Sequence, residues 1–68
     1  RERRRHAPGA QIQAVERRRA RIRLELASNY FENGQTAVAL DEVKQALATD
    51  PGYADAFNLR GLIYLRLG

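Results

Sequence analysis

Apolar residues along the chain recur at helical intervals in three stretches separated by two short polar breaks. From about Ala10, Ile12, Val15, Ile22 and Leu26 share one stripe of a helix that Arg19 interrupts, and Leu24, Ala27 and Phe31 form a neighbouring stripe. This pattern predicts a long helix that closes at Asn33-Gly34, where glycine enters the left-handed conformation without Cβ strain. Thr36 is the expected N-cap of a second helix over Ala37 to Ala48, rich in Ala and Leu, which Asp50-Pro51-Gly52 stops. A third stretch from Ala54 to Leu67 carries Phe57, Gly61 and Tyr64 at helical spacing and ends at Gly68. The expected fold is all-α, with an antiparallel hairpin followed by a third helix and no strands.

Composition narrows the class. Sixty-eight residues, 44% of them apolar and 29% charged, make at most one small soluble domain. With no Cys, Met or Trp there is no disulfide, thiolate metal site or thiol nucleophile. The chain starts at Arg1 without an initiator Met, so it is expected to be an excerpt of a longer protein. Charge is uneven: Arg1 to Arg23 holds nine Arg and two Glu, whereas Leu24 to Gly68 holds six acids against three bases. Arg1 to His6 lacks apolar periodicity and is expected to be a disordered basic arm near an anionic surface. No stretch is long and apolar enough for a membrane span or the core of a signal peptide.

The third helix repeats the first. An offset of 34 residues pairs Ala20 with Ala54, Ala27 with Gly61, Tyr30 with Tyr64 and Gly34 with Gly68. Small residues fall on small, aromatic on aromatic, and the helix-ending glycine recurs. With Leu26, Ala27, Tyr30, Ala39, Val43, Ala46 and Pro51 in one unit and Phe57, Gly61 and Tyr64 in the next, the chain resembles the tetratricopeptide repeat (TPR) family. Arg23 stands where that pattern carries a large aromatic, and Arg60 where it carries Leu. The resemblance implies a basic arm over 1–9, a helical extension over 10–19, one full repeat over 20–53 and the first helix of a second repeat over 54–68, part of an α-solenoid.

Three strings, Arg21 to Ala27, Thr36 to Leu47 and Phe57 to Tyr64, are similar to the first repeats of the type IV pilus biogenesis/stability lipoproteins, the PilF/PilW pilotin family. That resemblance implies a non-enzymatic protein on the periplasmic side of the outer membrane, binding the pilus secretin. It also implies a membrane tether through a lipidated Cys upstream of Arg1, with Arg1 to Arg5 as the tether region.

First helices of such repeats line a concave groove, which makes Leu24, Ser28, Phe31, Asn58, Leu62 and Leu65 the candidate partner-binding residues. Four of the six are apolar, which favours an apolar peptide or helix segment, its backbone held by Asn58, over a carboxylate clamp built from Lys, Arg and Asn. The competing reading has Leu62 and Leu65 pack against a further helix. Asp41 and Glu42 are adjacent and diverge on a helix, so they read as a solvated face rather than an acid–base pair. His6 has no partner at ligand spacing, Tyr30 and Tyr64 read as core aromatics, and no phosphate-binding or nucleophile motif occurs. Neither a catalytic residue, a metal site nor a cofactor is therefore expected.

The arginines leave two alternatives, a generic TPR adaptor and a basic-arm protein associated with nucleic acid through Arg3, Arg4, Arg5, Arg17, Arg18, Arg19 and Arg21. The triplet Arg17-Arg18-Arg19 spreads around a helix and no aromatics interleave with it, which disfavours nucleic acid.

Overall fold

The computed structural model describes residues 8–68, with side chains from residue 11 onward. Three helices follow one another: α1 (Pro8–Glu32), α2 (Thr36–Thr49) and α3 (Ala54–Leu67). The described residues contain no strand, as the periodicity predicts. The disordered arm expected over 1–9, with Arg1 to Arg5 and His6, lies outside the described residues except at Pro8 and Gly9. Those two belong to α1, which begins two residues before the expected start at Ala10. Proline in the first turn lacks only an N–H that would have no helical partner, and its ring fixes φ near the helical value.

The breaks are built as their residues dictate. Asn33 and Gly34 close α1 with Gly34 at φ +83°, in the left-handed region. The Gln35 N–H donates to the Tyr30 carbonyl at 2.9 Å and the Gly34 N–H to the Phe31 carbonyl at 3.1 Å, the paired bonds of a Schellman closure. The same closure overturns the expected cap. Gln35, not Thr36, is the N-cap of α2, and it makes no side-chain cap hydrogen bond. The Gln35 carbonyl already accepts the Ala39 N–H at 3.0 Å, so Thr36 is helical and its hydroxyl lies 3.5 Å from the Gly34 carbonyl, a weak contact. At the second break the Tyr53 N–H donates to the Asp50 carbonyl at 3.1 Å across Pro51 and Gly52, and Gly52 keeps a negative φ. Proline at the second position of this turn suits its fixed φ.

α2 lies between its neighbours and packs on both, most extensively on α1, while α1 and α3 touch only narrowly. The fully buried side chains are Ala20, Ala27, Ala39, Val43, Ala46, Ala56 and Ile63, with Leu24, Tyr30, Phe31, Leu40, Leu47, Tyr53 and Leu59 packed around them. Arg23, which stands in an aromatic place of the repeat, bonds through Nη1 to Glu42 Oε1 at 2.9 Å and ties α1 to α2. Glu42 is thus half-buried and paired, and only Asp41 occupies the solvated face expected for both.

The molecule is extended, 55 × 16 × 13 Å, with a Cα radius of gyration of 14.7 Å. A compact chain of this length would have about 11 Å. The excess comes from α1, whose residues 11–19 are all exposed ahead of the hairpin.

Two substitutions test this packing. Ile63→Ala empties the largest buried site and should destabilise the chain by about 2–5 kcal/mol in urea unfolding followed by circular dichroism, whereas exposed Leu65→Ala should change it by less than about 0.5 kcal/mol. Gly34→Ala should cost about 1–2 kcal/mol, because the left-handed φ is retained by the Schellman bonds.

Candidate functional site

The candidate groove residues divide between two helices. Leu24, Ser28 and Phe31 recur at four- and three-residue steps on one face of α1, and Asn58, Leu62 and Leu65 do the same on α3. Two antiparallel hairpin steps make α1 and α3 run in the same direction, so the two stripes lie on parallel helices. The α1 side is half-buried, with Leu24 and Phe31 against the core. The α3 side is open: Leu62 is 53% and Leu65 80% exposed.

A residue outside the expected set links the two helices. The Arg66 guanidinium lies over the Phe31 ring, 4.4 Å from its centroid, and joins the C-terminal ends of α1 and α3. The 34-residue offset pairs Phe31 with Leu65, one position short of Arg66, which is the only hint the sequence offers of this contact. Arg66 in the last turn of α3 also complements the negative end of the helix dipole. A second stacked pair, Arg60 over Phe57 at 4.9 Å, shows what replaces Leu at that repeat place.

Structural repeat positions behave differently in the two units. Ala27, Ala39, Val43 and Ala46 are buried, Tyr30 is partly buried, and Leu26 and Pro51 are exposed. In α3 the matching face is open: Phe57 and Tyr64 are about half-exposed, and a Cβ added at Gly61 would meet nothing within 4 Å. Tyr64, expected as a core aromatic, is half-exposed on that face. Its counterpart Tyr30 is covered by α2, while no described helix lies on the Gly61 face of α3.

Surface hollows lie elsewhere, along α1. One of about 270 Å³ is lined by Gln13, Glu16, Arg17, Thr49, Asp50 and Pro51. Another of about 440 Å³ is lined by Arg19, Ile22, Arg23, Leu26, Gln45 and Thr49. Neither contains a groove candidate. Among the described residues no group of three His, Cys, Asp or Glu could hold a metal ion, and no helix is long and apolar enough to cross a membrane. His6 and Arg3 to Arg5 lie outside the described residues.

Tyr53, at the turn into α3, is the group whose titration the fold perturbs. Burial, and then the charges of Asp55, Glu25 and Asp50, push its phenol above the ordinary value of 10.0 against an opposing pull from Arg21. The folded chain thus favours the neutral phenol, a contribution fully present below pH 10.0 and lost as pH rises through the elevated folded value.

A family model for the TPR repeat matches residues 27–68. No curated protein and no solved structure matches the chain significantly.

The Tyr53 shift is checked by thermal unfolding across alkaline pH. Stability of the parent chain should fall as pH climbs past 10.0, and Tyr53→Phe should shrink that fall; an equal fall in both would contradict the assignment.

Proposed function

The chain belongs to the TPR repeat family, and from that premise we propose that it is a non-catalytic scaffold that captures an apolar segment of a protein partner on the α1 and α3 stripes. Protein–protein interaction is the role of such repeats. The observation that carries the finer reading is the pair Leu62 and Leu65, large apolar side chains held in the open beside the Phe31–Arg66 stack. Leaving such residues in water is unfavourable by about 25 cal/mol per Å² of apolar surface, and a partner that covers them recovers that free energy. Asn58, exposed in the same stripe, offers a donor and an acceptor to the partner's backbone.

The partner is, on this reading, the secretin of a type IV pilus. Support for that identity is the similarity of the three strings over residues 21–27, 36–47 and 57–64 to pilus biogenesis/stability lipoproteins. The intact protein would then act on the periplasmic side of the outer membrane, tethered by a lipidated Cys upstream of Arg1, with the basic arm beside anionic headgroups. A generic adaptor shares these stripes but not the tether.

Calorimetric titration with a purified secretin tests both levels. Leu62→Asp combined with Leu65→Asp should weaken binding about tenfold or more while leaving far-ultraviolet circular dichroism unchanged, since both residues are exposed. Absence of binding by the parent chain would remove the secretin, and undiminished binding by the double variant would remove the stripes as its site.

A further inference from the structure

We propose that the outer face of α1 is a self-association surface that pairs with α1 of a second copy in an antiparallel two-helix seam. Ile12, Val15, Arg19, Ile22, Leu26 and Asn29 follow one another at steps of three and four, the a and d places of a heptad repeat. Every one of the six is exposed, Ile12 at 55% and Ile22 at 57%, and only the part around Ile22 and Leu26 borders α2, at Gln45 and Thr49. A hollow of about 350 Å³, lined by Gln11, Ile12, Val15, Glu16 and Arg19, runs along it, and one of about 440 Å³ lies between Ile22 and Leu26 and the α2 residues Gln45 and Thr49.

The equivalent face of α3 receives a helix. Ala56 and Ile63, offset by 34 residues from Ile22 and Asn29, are fully buried where α3 packs on α2. That relation covers only the half of the stripe inside the repeat. Ile12 and Val15 lie ahead of it and continue the same heptad along the projecting part of α1.

Charge selects the occupant. An antiparallel register that sets Val15 against Leu26 and Arg19 against Ile22 of the second copy also sets Arg18 opposite Glu25, and two-fold symmetry doubles that pair while Arg23 stays with Glu42. A parallel register would instead stack Arg19 on Arg19 and bring Arg18 toward Arg23. Arg19 within the seam lowers affinity but fixes register, because its long stem packs apolar while the guanidinium reaches the rim. Since α1 is already anchored to α2, pairing need not nucleate the helix.

Sedimentation equilibrium of the whole chain, from micromolar to millimolar at low salt, is the test. The parent should show a reversible equilibrium with a species of twice the monomer mass. Val15→Asp, at an exposed site, should weaken dimerisation about tenfold or more with the hairpin still folded by circular dichroism. Arg18→Glu and Glu25→Arg should each weaken the homodimer, and an equimolar mixture of the two should form a heterodimer tighter than either, since both crossed pairs then carry opposite charges. A monomer at every concentration, as expected if the face takes another protein or another segment instead, would overturn the proposal. So would a dimer indifferent to Val15→Asp, or variants that fail to pair when mixed.

Discussion

Close approach of helix backbones through alanine is the constraint on which the rest of the molecule depends. Five of the seven fully buried side chains are Ala, at 20, 27, 39, 46 and 56, and only Val43 and Ile63 add bulk. A methyl group lets two helices meet with little between them, but each buried methyl contributes only about 0.8 kcal/mol. A seam of this kind fixes geometry well and supplies modest stability. The large apolar residues divide around it: Leu24, Tyr30, Phe31, Leu40, Leu47, Tyr53 and Leu59 pack against the seam, while Ile12, Ile22, Phe57, Leu62, Tyr64 and Leu65 stand at the surface.

The two outward apolar faces follow from the repeat. α2 carries a stripe of Ala39, Val43 and Ala46 and accepts a neighbour on either side, so a chain of such units grows by stacking. α1 and α3 each use one face against α2 and keep others open, and those open faces carry Leu62 and Leu65 on α3 and the heptad stripe on α1. The arginines are distributed accordingly. Arg23 bonds Glu42, Arg66 covers Phe31 and Arg60 covers Phe57, each shielding an otherwise open joint or ring.

Much of the fold could be read from the sequence because its breaks are made by residues with strong local preferences. Gly34 and the Asp50-Pro51 turn end helices for reasons contained within a few residues, and the 34-residue offset fixes which helices resemble one another. Thr36 misled because capping depends on how the preceding helix closes, and the Schellman bonds pass that role to Gln35. The start expected at Ala10 falls two residues late because proline is a good first residue of a helix. Spacing puts Leu24, Ser28 and Phe31 on one face of α1 and Asn58, Leu62 and Leu65 on one face of α3, but Arg66 over Phe31 and Arg23 to Glu42 join residues distant in sequence, which periodicity does not encode. The repeat position of Tyr64 reads as a core place, and burial there depends on a helix over the Gly61 face, which none of the described residues supplies.

Native-state hydrogen exchange on the dilute chain measures the central claim most directly. If the alanine seam on α2 holds the fold while the large apolar residues remain outside it, amides around Ala39, Val43 and Ala46 should exchange slowest. Those near Ala27 and Ile63 should follow, and residues 11–17 should exchange fastest among the helices. Strongest protection in the N-terminal turns of α1, or protection spread evenly over the three helices, would contradict it.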